Sequence, residues 1–374
     1  MDVLRATHGP VEERRLDLGT AARRARACGG VGYVEQALDV LILRSGPGRL
    51  EARDYYAFGL YDHRRHDAAS RRSFLGRAVL AELAEGAVDD LSARLAQERN
   101  LRAHGLATPR TEAILAERPV VGGPPCLADD AALARYLRER GDAPLLVQPL
   151  VEHIGAGTQT VGPWQPATDS LPLGDGRREP VARLCSRLAA YRAVGCLLRT
   201  GLRPHQDLVA AHGARLSSVR LLLRREVDRL VPHRAAWRIP AGSALTDGFR
   251  EPSNLLAAVD PGSGRVWRVV QGLHPGQREV AAHPDTGAPL LGRALPDWGS
   301  LVGLARAAGE LISRGPLLAL DLVPTSAGPV VVTLLRHAGD PFLVQLAHAT
   351  GLLDADLRRC LQRTPRLARG RSAA

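Results

Sequence analysis

Side chains able to do chemistry gather at few places in this sequence. Tyr61-Asp62-His63-Arg64-Arg65-His66-Asp67 places imidazoles and carboxylates at spacings that suit a metal. The neighbouring arginines dilute it, and the stretch reads better as a solvated helix end. His283, Asp285 and Thr286, within His-Pro-Asp-Thr-Gly, read as a turn that shapes a cleft, its Asp and Thr capping backbone groups. Asp321 stands in an apolar run, where a carboxylate needs either a metal or one of the chain's many arginines. The five cysteines, at 28, 126, 185, 196 and 360, include no Cys-x-x-Cys pair and read as core thiols in a reducing compartment.

Several chemistries cannot be built at all. The 374 residues carry 50 Lys plus Arg, and every one of these is Arg. A phosphate-binding P-loop, a protein kinase and Schiff-base catalysis all need an amine. No Gly-x-Ser-x-Gly elbow, His-Glu-x-x-His or Gly-x-Gly-x-x-Gly occurs. The formal net charge of +11 invites a nucleic-acid reading. Yet the Arg clusters (14–26, 64–72 and 358–371) are dispersed, and four Phe, four Trp and six Tyr are too few for a base-stacking platform. Nucleic acid is therefore not the expected partner, and a GC-rich coding bias accounts for Arg replacing Lys. The amino terminus shows no apolar h-region, and no apolar run approaches the ~18 residues of a membrane span. A cytoplasmic protein with no membrane span is expected.

The elements that must position these residues follow from periodicity. Residues 12–104 read mostly helical, with apolar-periodic pieces at 35–43 and 77–83 and a helix over 89–104 closed by Gly105. Helices are expected at 131–140 and 179–192, strands at 144–148 and 196–199, and a loop across the Gly-, Pro- and Thr-rich stretch 152–176. After His212 the pattern turns to strands, at 216–223 and 230–239. The second alternates Val231, His233, Ala235, Trp237 and Ile239 on one face. A hairpin is expected where Pro-Gly-Ser-Gly joins 255–260 to 265–270, then a helix over 297–314, strands at 317–323 and 330–335, and helices at 341–350 and 354–362. This mixture is α+β. At this length two or three lobes are expected, divided as a helical region 1–104, a smaller lobe 105–212, a larger lobe 213–352 and an Arg-rich tail 353–374.

The second half carries an ordered series of short motifs: Arg203-Pro204-His205, Leu216-Ser217-Ser218-Val219-Arg220, Trp237-Arg238-Ile239, Asp247-Gly248-Phe249, His283-Pro284-Asp285-Thr286-Gly287, Pro296-Asp297-Trp298 and Leu320-Asp321. In order and spacing it resembles the sugar-transfer-associated ATP-grasp family across roughly 50–350, with Asp54-Tyr55-Tyr56 near its opening. The resemblance implies an ATP-grasp fold, two α+β lobes gripping ATP. It also implies ATP and Mg²⁺ as cofactors and a carboxylate activated as an acyl phosphate before transfer to an amine or thiol.

Carried over position by position, the resemblance puts Arg94 where the family has its first lysine and neutral Gln148 in place of the second, ahead of a Gly-rich loop with Gly155 and Gly157. Thr200, after Arg199, falls at the acidic hinge that receives the adenine amine. Arg220 takes the phosphate-contacting position, and Arg94 and Arg199 would join it as a phosphate clamp. Asp321 is the retained metal acid; on the next strand Thr333 replaces the family's Glu and would offer the metal one weak neutral oxygen, and Leu335 replaces its Asn and would offer none. The expected function is that of an ATP-grasp carboxylate–amine or –thiol ligase relative linked to sugar transfer or exopolysaccharide synthesis, with catalysis weakened or lost. The alternatives are a non-catalytic scaffold for a pathway enzyme and a basic binder of anionic polymers.

Overall fold

The structure is a computed structural model that describes residues 17–28, 30–77, 79, 90–150, 158–227, 229–249, 251–312, 315–335 and 341–363. Two sheets organise it. The smaller contains β1 (Thr111–Leu115), β2 (Cys126–Leu127), β3 (Leu145–Pro149) and β4 (Gln159–Val161). A ribbon of β5 (Ser170–Pro172) and β6 (Arg178–Pro180) precedes its last strand, β7 (Cys196–Thr200), and the strand order is β2-β1-β7-β3-β4. The larger sheet is antiparallel throughout, made of β8 (Ser218–Glu226), β9 (Arg229–Ile239), β10 (Leu255–Val259), β11 (Val266–Gln271), β12 (Arg278–Glu279), β13 (Leu317–Thr325) and β14 (Gly328–Leu335). Its order is β12-β11-β10-β9-β8-β13-β14. Helices and strands in mixed order make the chain α+β.

The large sheet is buried on both faces because its strands alternate two apolar sets. Leu221, Leu223, Ala235, Trp237, Leu318 and Leu320 point to one face, where the helix Trp298–Ile312 covers them. A Cβ on Gly309 would lie 2.5 Å from Leu230 and 2.8 Å from Leu318, so this helix sits at a distance only glycine permits. Leu222, Ala236, Leu256, Ala319 and Leu317 point the other way, onto a core shared by Tyr55, Phe58, Phe74, Phe342 and Leu357. The amino-terminal helices and the two helices Phe342–His348 and Ala355–Arg363 thus cover one half of that face. The other half is left to polar side chains.

Local signals account for the ends of the elements. Asp90 caps the helix Leu91–Ala103 through Ala93 N–H at 2.8 Å, and the chain leaves it at Gly105 with φ +69°. Gly264, at φ +71°, closes the Pro-Gly-Ser-Gly hairpin between β10 and β11. The stretch read as loop over 152–176 is corrected in part: β4 and β5 lie within it. Each is three residues long and held by pairing with another segment, β4 on β3 and β5 on β6, so no local propensity announces it. β6 likewise occupies the start of the expected helix 179–192, which begins at Val181. Most of the periodic piece 77–83 lies outside the described residues.

The 61–67 stretch is also corrected in part. His63 Nε2 lies 2.6 Å from Asp39, which also accepts from Tyr55 Oη at 3.0 Å and Arg71 Nη1 at 2.6 Å. His66 is buried against Phe74. His63 thus joins the Asp39 network and His66 is buried apart from it, while Arg64, Arg65 and Asp67 are exposed, as a solvated stretch requires. None of the five cysteines forms a disulfide.

Candidate functional site

The polar half of the large sheet is built by register. Asp321 on β13 stands directly opposite Arg220 on β8 and Thr333 on β14, while Ser218 stands opposite Arg238 on β9. Directly opposite residues share a face, so these five side chains converge. Arg220 donates through Nε and Nη2 to the two oxygens of Asp321, both at 2.8 Å. Arg238 Nη2 adds a third bond, to Asp321 Oδ2 at 3.2 Å, and also donates to Ser218 Oγ at 2.6 Å. Ser218 in turn donates to Asp247 Oδ2 at 2.5 Å, with Arg238 Nε 3.5 Å from the same carboxylate.

Asp321, Arg220, Arg238 and Asp247 are all buried. The two acids and two guanidinium groups therefore balance in charge, as a buried ionic cluster must. Burial is the largest influence on Asp321 and pushes its pKa up, but Arg220 and Arg238 together outweigh it and hold the carboxyl down at about 2. Arg94, on the helix Leu91–Ala103, adds to that lowering from a half-buried position.

A second network joins the two sheets. Gln148 at the end of β3 donates to Thr333 Oγ1 at 2.7 Å and accepts from Arg199 Nη1 at 2.8 Å. Arg199 on β7 spends its other bonds inside the protein, on the carbonyls of Val332 (2.9 Å) and Pro109 (2.8 Å) and on Thr108 Oγ1 (3.0 Å). Its carboxylate partner is Glu98 at 3.4 Å, which is itself held by Thr111 N–H at 2.7 Å. Burial draws the Arg199 pKa down to about 10, against the pull of Glu98. Thr200 is occupied with backbone: its Oγ1 accepts from Arg110 N–H at 2.9 Å.

Of the residues singled out from sequence, the structure brings Arg220, Asp321, Thr333, Gln148 and Arg199 into one continuous polar interior, with Arg94 close enough to influence both Asp321 and Arg199. Gly155 and Gly157 lie outside the described residues. In the His283 turn Asp285 and Thr286 bond backbone groups, as read: Asp285 Oδ2 accepts from Gly242 N–H at 2.7 Å and from Arg215 at 3.1 Å, and Thr286 Oγ1 donates to the Ala211 carbonyl at 2.6 Å, though neither lines a crevice beside Asp321. Sequence reasoning assigned no role to Arg238, Asp247, Ser218 or Glu98. Arg238 had a usable signal, because alternation that puts Trp237 and Ile239 on one face puts Arg238 on the other.

What the site can hold follows from its geometry. The crevice beside Asp321, bordered by Ser218, Arg238, Asp247, Val332 and Thr333, has about 10 Å³ of space, enough for one water. A second crevice, between Gln159 and Arg187 on one side and Leu245, Thr246 and Glu251 on the other, has about 140 Å³. Small-molecule sites commonly run to roughly 300–1,000 Å³. Neither space admits a nucleotide as it stands.

A divalent cation fares no better. Mg²⁺ needs oxygen donors in an octahedron. Both oxygens of Asp321 already accept from guanidinium groups, Thr333 Oγ1 accepts from Gln148, and Leu335 has no side-chain oxygen. Among the described residues no group of three His, Cys, Asp or Glu could hold a metal. The described residues at this site do not fit Mg²⁺.

No protein-family model matches the sequence, and no curated protein matches it significantly. Solved structures do. A carboxyaminoimidazole ribonucleotide synthase from Aspergillus clavatus, complexed with ATP, is 12% identical over 75% of this chain and 57% of its own, with a TM-score of 0.37. An L-amino acid ligase from Bacillus licheniformis is 9% identical over 71% and 46%, with a TM-score of 0.36. A RimK-domain ATP-grasp protein from Sphaerobacter thermophilus is 16% identical over 73% and 68%, with a TM-score of 0.30. The chain thus spans only about half the length of the first two.

Proposed function

We propose that this chain has an ATP-grasp fold of the sugar-transfer-associated branch, with the ligase chemistry of that fold weakened or lost. It would act as a non-catalytic scaffold or binding partner for a cytoplasmic enzyme of surface-sugar or exopolysaccharide assembly. The observation that carries this reading is the environment of Asp321, whose two carboxylate oxygens take three bonds from Arg220 and Arg238. Arg220, to which the resemblance gives a phosphate, and Arg238 are instead bound to the carboxylate to which it gives a metal.

Three further features support it. Gln148, at the second lysine position, is consumed by Thr333 and Arg199, so it presents no cation to a phosphate. Arg199 is turned into the protein and pinned by Glu98 and two carbonyls. The crevice by Asp321 has room for one water. An active ligase would have to strip Asp321 of both guanidinium groups, and removing partners from buried charges costs several kcal/mol. The anionic-polymer reading is disfavoured at this site, where Arg199, Arg220 and Arg238 are internal.

Calorimetric titration of ATP, with and without Mg²⁺, tests the proposal. Heat of Mg²⁺-dependent binding would return the chain to the ligases.

A further inference from the structure

The helix Tyr33–Ser45 turns most of its apolar side chains outward. Its inward side carries Gln36 and Asp39, 1% and 8% exposed, which are held by polar bonds to Tyr56 Oη (2.9 Å), Tyr55 Oη (3.0 Å) and Arg71 (2.6 Å). Its outward side carries Tyr33, Val34, Leu38, Leu41 and Ile42. Burying apolar groups is the ordinary reason a surface helix docks; here only Leu43, 4% exposed, and half-buried Val40 reach the core, and most of the helix's apolar side chains are left outside. Val34 is 75% and Leu41 62% exposed, so these side chains stand up as a ridge rather than line a groove. Contiguous apolar surface of this kind marks an interaction face.

The rim of the ridge selects what covers it. Arg44 is exposed in the last turn of the helix, and at its first residue Arg26 stacks over the Tyr33 ring at 5.0 Å, with Arg23 and Arg24 exposed on the same preceding helix. Glu35, on the other edge, lies 3.6 Å from His63 Nδ1. A second copy would bring together two basic rims on chains of net charge +11. A helix of another protein needs a groove to lie in, and a ridge provides none. An anionic lipid surface satisfies both features, since its fluid interface accepts a projecting apolar ridge while its headgroups attract the arginines.

We propose that the helix Tyr33–Ser45 seats this protein peripherally on anionic membranes, with Leu38, Leu41 and Ile42 entering the headgroup boundary and Arg26 and Arg44 meeting lipid phosphates. This is a surface contact: no described helix is long and apolar enough to cross a membrane. It stands independently of the function proposed above.

Sedimentation of the full chain with vesicles of phosphatidylcholine, with and without an equal share of phosphatidylglycerol, tests it. Binding to the anionic vesicles is expected, falling with added salt and falling at least about tenfold in the exposed-site double variant L38E/L41E. R26E/R44E should weaken it similarly, whereas L291E, at an exposed leucine elsewhere, should not. Failure of the wild-type chain to bind anionic vesicles overturns the proposal. So does binding that L38E/L41E leaves intact, or a dimer in light scattering that this variant abolishes without any vesicle binding.

Discussion

Asp321 and Arg220 face each other across adjacent antiparallel strands and close a two-point ion pair, both bonds 2.8 Å long, in the buried interior. The pair ties the polar half of the sheet together, and Arg238 extends it to Ser218 and Asp247. A carboxylate so placed is a structural member, and its removal should be felt in stability.

Asp321→Asn leaves two buried guanidinium groups short of a charge. Breaking one partner out of a buried ionic cluster costs about 3–5 kcal/mol. Urea unfolding of the variant should show a loss of that order. A loss under about 1 kcal/mol would mean that solvent or another acid reaches Arg220 and Arg238.

The same carboxyl makes stability depend on acid. Its pKa falls from 3.8 to about 2 on folding, so the unfolded chain binds the proton more readily. The resulting stabilisation is complete above pH 4 and is lost as pH falls through 2, amounting to about 2–3 kcal/mol. Unfolding at a series of pH values should show this step in the wild type, and it should be missing from the same series on Asp321→Asn.

Two buried histidines add a step at higher pH. Burial lowers His212 to about 3 and His348 to about 4, where His348 donates to the Ala235 carbonyl at 2.7 Å. Both remain neutral in the fold and charge in the unfolded chain, so their contribution is full above pH 6.5 and erodes below it. At pH 5 each should cost about 2 kcal/mol relative to pH 7. Histidine NMR titration would check the cause directly, by showing no protonation of either ring in the folded protein at pH 5.

Gln148→Lys, which supplies the lysine that the sequence resemblance calls for, should not confer nucleotide binding. The new ammonium would replace an amide that lies 2.8 Å from the Arg199 guanidinium, in a buried position. Like charge and loss of the acceptor for an Arg199 N–H should destabilise the fold by about 1–3 kcal/mol. Gain of ATP affinity in this variant, seen by calorimetry, would contradict that.

Much of this arrangement was legible in the sequence because strand periodicity is local. Asp321 and Thr333 sit on apolar strands joined by a short turn, so their juxtaposition needs only a hairpin. The helix Trp298–Ile312 declares itself by its apolar stripe. Arg199 was harder: on a strand its type suggests a phosphate clamp, and only the approach of Glu98 from a helix a hundred residues earlier in the chain turns it inward. β4 and β5 could not be read, because their pairing is set by distant segments. The helix Tyr33–Ser45 shows its periodicity in sequence, but periodicity alone does not say which face is covered.

The central claim is that Asp321 belongs to Arg220 and Arg238 and not to a metal–nucleotide complex. Calorimetric titration of ATP into the purified chain, with and without Mg²⁺, followed by repetition on Asp321→Asn, tests it most directly. No binding heat up to millimolar nucleotide is the predicted result for both proteins. Mg²⁺-dependent binding by the wild type that disappears in Asp321→Asn would contradict it.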